Sequence, residues 1–153
     1  MPHRIKTEVV IYYFDGEWNS AWGECLGAPT FLPLGDSPTP LKSGQRVAVD
    51  GVFLPVQERF VWDKTHLKIL EEGVERQAEP VGSLVENPAG LKARLTVVEG
   101  LIDAQKVATS HVTMNFLANG ATANVYVLRD THGTPPHFRG YRACRCAFQI
   151  AEK

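Results

Sequence analysis

From Gln45 to Phe53 the chain alternates: Val47 and Val49 fall on one side of an extended strand, with Arg46, Ala48 and Asp50 on the other. An apolar residue at every second position buries one face of a strand and no face of a helix. The same period returns over residues 65–70, where Leu67 and Ile69 are expected inward, and over residues 111–117, where Val112, Met114 and Phe116 share a side. No segment longer than about ten residues carries the i, i+3, i+4, i+7 spacing of a helix. The expected fold class is all-β.

Turn residues cut this β signal into short pieces. Residues 7–14, Thr-Glu-Val-Val-Ile-Tyr-Tyr-Phe, are β-branched and aromatic and stop at the turn pair Asp15-Gly16. Gly23, Gly27, Pro29 and Pro33 break residues 18–34 into short strands with irregular edges. Residues 35–40 read as a loop, and Lys42-Ser43-Gly44 supplies the turn into the alternating strand. Over residues 74–90 Glu, Gln, Pro and Gly dominate, which predicts a linker with one short helix near 82–86. The second half repeats the plan: strands over 94–102 and 111–117, an Asn119-Gly120 hairpin turn, a return strand over 122–128, a loop over 130–136, and a strand over 140–148. Two sets of roughly five strands point to two small, closed or partly closed barrels of about 60–70 residues each. The expected boundaries are 1–73 for the first, 74–92 for the linker and 93–153 for the second. Cores this small are marginal alone, so the halves are expected to share an interface.

Composition narrows the function. Hydrophobic residues make up 44% and charged residues 22%, a globular balance. Sixteen basic residues against seventeen acidic ones give a net charge of −1, which counts against a nucleic-acid partner. No apolar run approaches the ~20 residues that cross a bilayer. Residues 1–6 lack the apolar core of a secretory signal, so any export or anchoring segment of a parent protein is expected outside this chain. Of the three cysteines, Cys144 and Cys146 share one face of a strand and are poorly placed to bond each other. Cys25 with either is geometrically open, and three small buried hydrophobes is the preferred reading.

Three stretches, taken together, resemble a known family. They are Val9-Val10-Ile11-Tyr12-Tyr13-Phe14-Asp15-Gly16-Glu17-Trp18, then Leu41-Lys42-Ser43-Gly44-Gln45-Arg46-Val47-Ala48-Val49-Asp50-Gly51-Val52, then Leu67-Lys68-Ile69-Leu70. The likeness is to the sensory region of large bacterial two-component histidine kinases. Val97-Val98-Glu99-Gly100-Leu101-Ile102, Tyr126-Val127-Leu128 and residues 140–148 extend it, so it spans about residues 5–150. The resemblance implies two consecutive small OB-like five-stranded barrels, a periplasmic or other extracytoplasmic location and a membrane-anchored parent protein. It also implies a signalling role, in which a ligand would bias the angle between the barrels.

Within that frame, Tyr12, Tyr13, Trp18 and Trp22 cluster around the first hairpin. Exposed aromatics on an OB barrel's face and loops stack bases or sugars. The competing reading, that alternate residues such as Tyr12 and Phe14 fill the barrel, is preferred, since aromatics carry most of the apolar area a small core can bury. Trp62 lines a groove or plugs one barrel end, and the plug is preferred. Arg139, Arg142 and Arg145, with Lys92, Arg94 and Arg129, would suit an anion, but Glu86, Glu99, Asp103, Asp130 and Glu152 make a solvated edge the better reading. His132 and His137 beside Asp130 match no tetrahedral metal spacing, and Cys144 with Cys146 is C-x-C. Nucleophile-elbow, phosphate-loop, zinc-protease and dinucleotide motifs are all missing.

The expectation is a non-catalytic sensory module of a bacterial signal-transduction protein, binding a small molecule or a protein segment. Its ligand-binding residues would be Tyr13, Trp18, Trp22, Trp62 and Arg142, with no metal and no cofactor. The alternative is a stand-alone OB-fold protein that binds single-stranded nucleic acid, and a third reading is a spacer that binds nothing.

Overall fold

The computed structural model describes residues 1–35, 37, 39–75, 78–80 and 95–128, together with the backbone of 141–147. Among the described residues the only helical segments are two single-turn 3-10 pieces, Pro55–Gln57 and Trp62–Lys64, so the protein is all-β. It divides into two units, Met1–Gln77 and Ala78–Lys153.

In the first unit β1 (His3–Asp15), β2 (Ser20–Cys25), β3 (Ala28–Pro33) and β4 (Arg46–Leu54) lie in the order β3-β2-β1-β4. β5 (Arg59–Phe60) and β6 (His66–Glu71) both pair with β4. Curvature comes from β1, whose residues 3–10 pair with β4 while residues 9–15 pair with β2. A bulge between Ile11 and Tyr13 bends the strand where it changes partner. At the bend Gly23 of β2 approaches so closely that a Cβ there would sit 2.2 Å from the Val10 carbonyl oxygen. Only glycine fits that contact.

The second unit reuses this design. β8 (Leu95–Val107), β9 (His111–Ala118), β10 (Ala121–Leu128) and β11 (Tyr141–Ala147) run in the order β10-β9-β8-β11, and β7 (Glu79–Pro80) pairs parallel to β8. Like β1, β8 has 13 residues and a bulge, between Ile102 and Ala104, and it divides its length between two partners. A Cβ on Gly100 would meet the Leu117 carbonyl oxygen at 2.2 Å. Three successive antiparallel strands, with a fourth returning beside the first, make a Greek key. Each unit contains one.

Alternation places the cores. Val9, Ile11, Ala21, Leu32, Leu34, Leu41, Val47, Val49 and Phe60 form the first, with Phe14, Phe53, Trp62 and Leu67 packed against it. Val98, Val112, Met114, Phe116, Ala118 and Val125 form the second. The faces expected for Val47, Val49, Val112, Met114 and Phe116 are the observed ones. Asn119 and Gly120 make the expected turn, both at positive φ (48° and 79°).

Two side chains depart from the expected pattern. Ile69 is exposed, because β6 lies at the sheet margin and only Leu67, opposite Val49, reaches the core. Tyr12 does not fill the interior with Phe14, because the bulge takes up one residue and shifts the inward set from Val9 and Ile11 to Phe14. The strand at residues 79–80 lies within the segment read as a linker, whereas the short helix near 82–86 and the loop over 130–136 fall outside the described residues.

Candidate functional site

The bulge that sends Phe14 inward sends Tyr13 to the opposite face of the sheet. There the register sets Tyr13 opposite Trp22, and Trp22 opposite Phe31. The three rings form a row across β1, β2 and β3, with centroids 5.7 Å apart for Tyr13–Trp22 and 5.4 Å for Trp22–Phe31. The residues next to them in sequence, Phe14, Ala21 and Leu32, pack into the core behind them. The row therefore lies on the outer face.

Trp22 is buried although it stands outside the core cluster, and its indole Nε1 has no hydrogen-bond acceptor among the described residues. Indole N–H groups normally find a partner when buried, and leaving one unmet costs about 1–3 kcal/mol. Tyr13 is half-buried and donates its hydroxyl to Asp15 Oδ2 at 3.3 Å. Tyr12 donates to Glu24 Oε2 at 2.7 Å, which brings a carboxylate to the side of the row.

Past the end of β1, the buried carboxylate of Asp15 organises the loop. Its Oδ1 accepts from the backbone N–H of Glu17 and of Trp18, both at 3.0 Å. This is the side-chain-to-backbone turn that Asp favours. It presents Trp18, half of whose surface stays in solvent. The hairpin between β2 and β3 turns on Leu26 and Gly27, with φ of 51° and 81°, and leaves Leu26 almost fully exposed.

Of the predicted site residues, Tyr13 and Trp22 come together in the row, and Trp18 stands on the adjoining loop. Trp62 belongs elsewhere. It packs against the core through Phe60 (centroids 5.4 Å), which in turn meets Phe53 at 5.0 Å. Arg142 lies on β11 of the second unit, its backbone paired with Gly100. The side chains of Arg142, Cys144 and Cys146 lie outside the described residues, as do His132, His137 and Arg139. Cys25 is half-buried, with its sulfur 3.0 Å from Thr7 Oγ1.

Sequence reasoning missed Phe31, Glu24 and the organising role of Asp15. Phe31 enters the row only through the β2–β3 register, and the signal for that was the Gly27 turn. Charge also sorts along the chain: Glu8, Asp15, Glu17, Glu24 and Asp36 fall between Lys6 and Lys42, and no Lys or Arg does. Arg4, Lys6 and Lys64 lie at the other end of the sheet. There Arg4, Lys64 and His66 line a shallow concavity of about 340 Å³ with Asp50, which pairs with Arg4 at 3.6 Å and Lys6 at 3.9 Å. These groups are well exposed, and such pairs contribute little.

Compared with known proteins, the chain matches no family model, no curated protein and no solved structure.

Proposed function

We propose that the protein is a non-catalytic binding module that takes its ligand on the outer face of β1–β3, along Tyr13, Trp22 and Phe31, with Trp18 closing from the loop. The carrying observation is the aromatic row on the side of the sheet away from the core. Aromatic rings set across neighbouring strands offer stacking faces.

The Greek keys support the finer reading of two OB-type barrels, since that fold is a five-stranded, partly open Greek-key barrel. OB-folds bind chiefly through the strand 2–3 face and the adjoining loops. In this chain β2 and β3 carry one carboxylate, Glu24, and no Lys or Arg, an arrangement that disfavours phosphates. A small uncharged or cationic molecule, or a protein segment of that character, suits it better than a nucleic acid. A place in a bacterial signalling protein outside the cytoplasm rests on the resemblance of the sequence to histidine-kinase sensory regions.

Calorimetric titration with linear oligosaccharides, lysine-containing peptides and a short oligothymidylate tests this. For a ligand from the first two classes, Trp18→Ala or Phe31→Ala should weaken binding about tenfold or more, a loss of ~1.4 kcal/mol. Trp62→Phe should leave it unchanged. Oligothymidylate binding that falls steeply with salt would replace the proposal with the nucleic-acid reading.

A further inference from the structure

The concavity at the far end of β1 is built by register. Lys6, Asp50 and His66 lie in line across β1, β4 and β6, and Arg4 stands opposite Val52 on the same face. Lys64 comes from the 3-10 turn that precedes β6. Their sequence neighbours Ile5, Val49 and Leu67 point the other way, to the core. Because β4 runs between the other two strands, Asp50, Gly51 and Val52 make the floor, and Arg4, Lys64 and His66 make the walls.

Thr65 fixes one wall. It is buried, and its hydroxyl donates to the Val61 carbonyl at 2.8 Å and accepts from the Val52 N–H at 3.2 Å. It packs so closely on Gly51 that a Cβ there would lie 2.3 Å from that hydroxyl. With Thr65 held inward, Lys64 and His66 on either side of it are exposed.

The charges do not balance. Arg4, Lys6 and Lys64 meet one carboxylate, Asp50, which already draws Arg4 (3.6 Å) and Lys6 (3.9 Å). Among the described residues Lys64 pairs with no carboxylate. One step along the face, Glu8 and Lys68 flank Ala48 and offset each other. Two positive charges are left over at the concavity.

We infer that this concavity binds a small phosphate-bearing ligand with at least two negative charges. Guanidinium and ammonium donors converging from two sides suit phosphate oxygens, through charge-assisted hydrogen bonds. The exposed pairs of Asp50 contribute little, so an anion takes their cations at small cost to the fold. The space, about 340 Å³, is at the small end of ligand sites. Asp50 in the floor also interrupts the continuous cationic track along which a nucleic-acid backbone would run. The site is separate from the aromatic row. Arg4 and Tyr13 lie near opposite ends of the 13-residue β1, roughly 30 Å of extended strand apart.

Calorimetric titration of the full chain with inorganic pyrophosphate, at about 50 mM salt to limit screening, reads this site. Saturable binding with a Kd of about 1 mM or tighter is expected. Arg4→Gln and Lys64→Gln should each weaken it about fivefold or more. Asp50→Asn removes the opposing charge and should tighten it about threefold or more, where a merely structural Asp50 would give a loss. Lys42→Gln, outside the concavity, and Trp18→Ala should leave the affinity unchanged. Far-UV circular dichroism should be the same for all five variants. No saturable binding up to about 10 mM pyrophosphate, undiminished affinity in both Arg4→Gln and Lys64→Gln, or no tightening in Asp50→Asn would each overturn the inference. Oligothymidylate that binds more tightly than pyrophosphate and is lost with Arg4→Gln would overturn it in favour of a nucleic-acid surface.

Discussion

Asp15 is a carboxylate with no surface exposure, and it accepts hydrogen bonds from two backbone N–H groups and a tyrosine hydroxyl. Removing it strands those donors, so Asp15→Ala should cost about 1–3 kcal/mol in urea unfolding. The same change frees the loop that presents Trp18. Unchanged stability would show that Asp15 does not hold this turn. Leu26 makes the opposite case. It is almost fully exposed at φ 51°, a conformation that costs non-glycine side chains about 1–2 kcal/mol and that Asn tolerates. Leu26→Asn should therefore raise the urea midpoint by the equivalent of about 0.5–1 kcal/mol. A lower midpoint would mean that Leu26 makes a contact in solution that outweighs its backbone strain.

At the scale of elements the long, bulged strand decides the architecture. β1 can serve two partners only because β2 passes it at Gly23, where an added methyl would strike the Val10 carbonyl. Gly23→Ala should destabilise by about 1–3 kcal/mol or more through overpacking. Gly16→Ala, whose Cβ would lie an ordinary 3.6 Å from the Phe14 ring, should stay within about 0.5 kcal/mol of the parent. Equal melting temperatures for the two variants would contradict the close-approach account. The bulge also marks where sequence reading stops. Strict alternation is visible in β4 and β9 and gives their buried faces, and Asn119-Gly120 announces its hairpin. A bulge shifts the inward set by one residue without altering composition, so the displacement of Tyr12 from the core was not legible. Trp22 and Trp62 were assigned to one site without knowledge of register, and the structure separates them: Trp22 joins the aromatic row, and Trp62 packs on the core through Phe60.

Across the whole chain, one plan occurs twice: a long bent strand, a tight hairpin and a returning strand. The strand orders β3-β2-β1-β4 and β10-β9-β8-β11 correspond position by position. This repetition was readable because the turn signals recur, Gly27 in one half and Asn119-Gly120 in the other. The division of labour between the units was not readable, because it depends on which face each aromatic occupies. The first unit carries the aromatic row, with Glu24 beside it. The chain has three tryptophans, so three indole N–H resonances report separately on the proposed binding face, its loop and the core. Following those resonances by NMR during titration with linear oligosaccharides and lysine-containing peptides tests the binding surface directly. The account predicts that a bound ligand shifts the Trp22 and Trp18 signals and leaves Trp62 in place. Binding that moves Trp62 alone, or that moves none of the three, would contradict it.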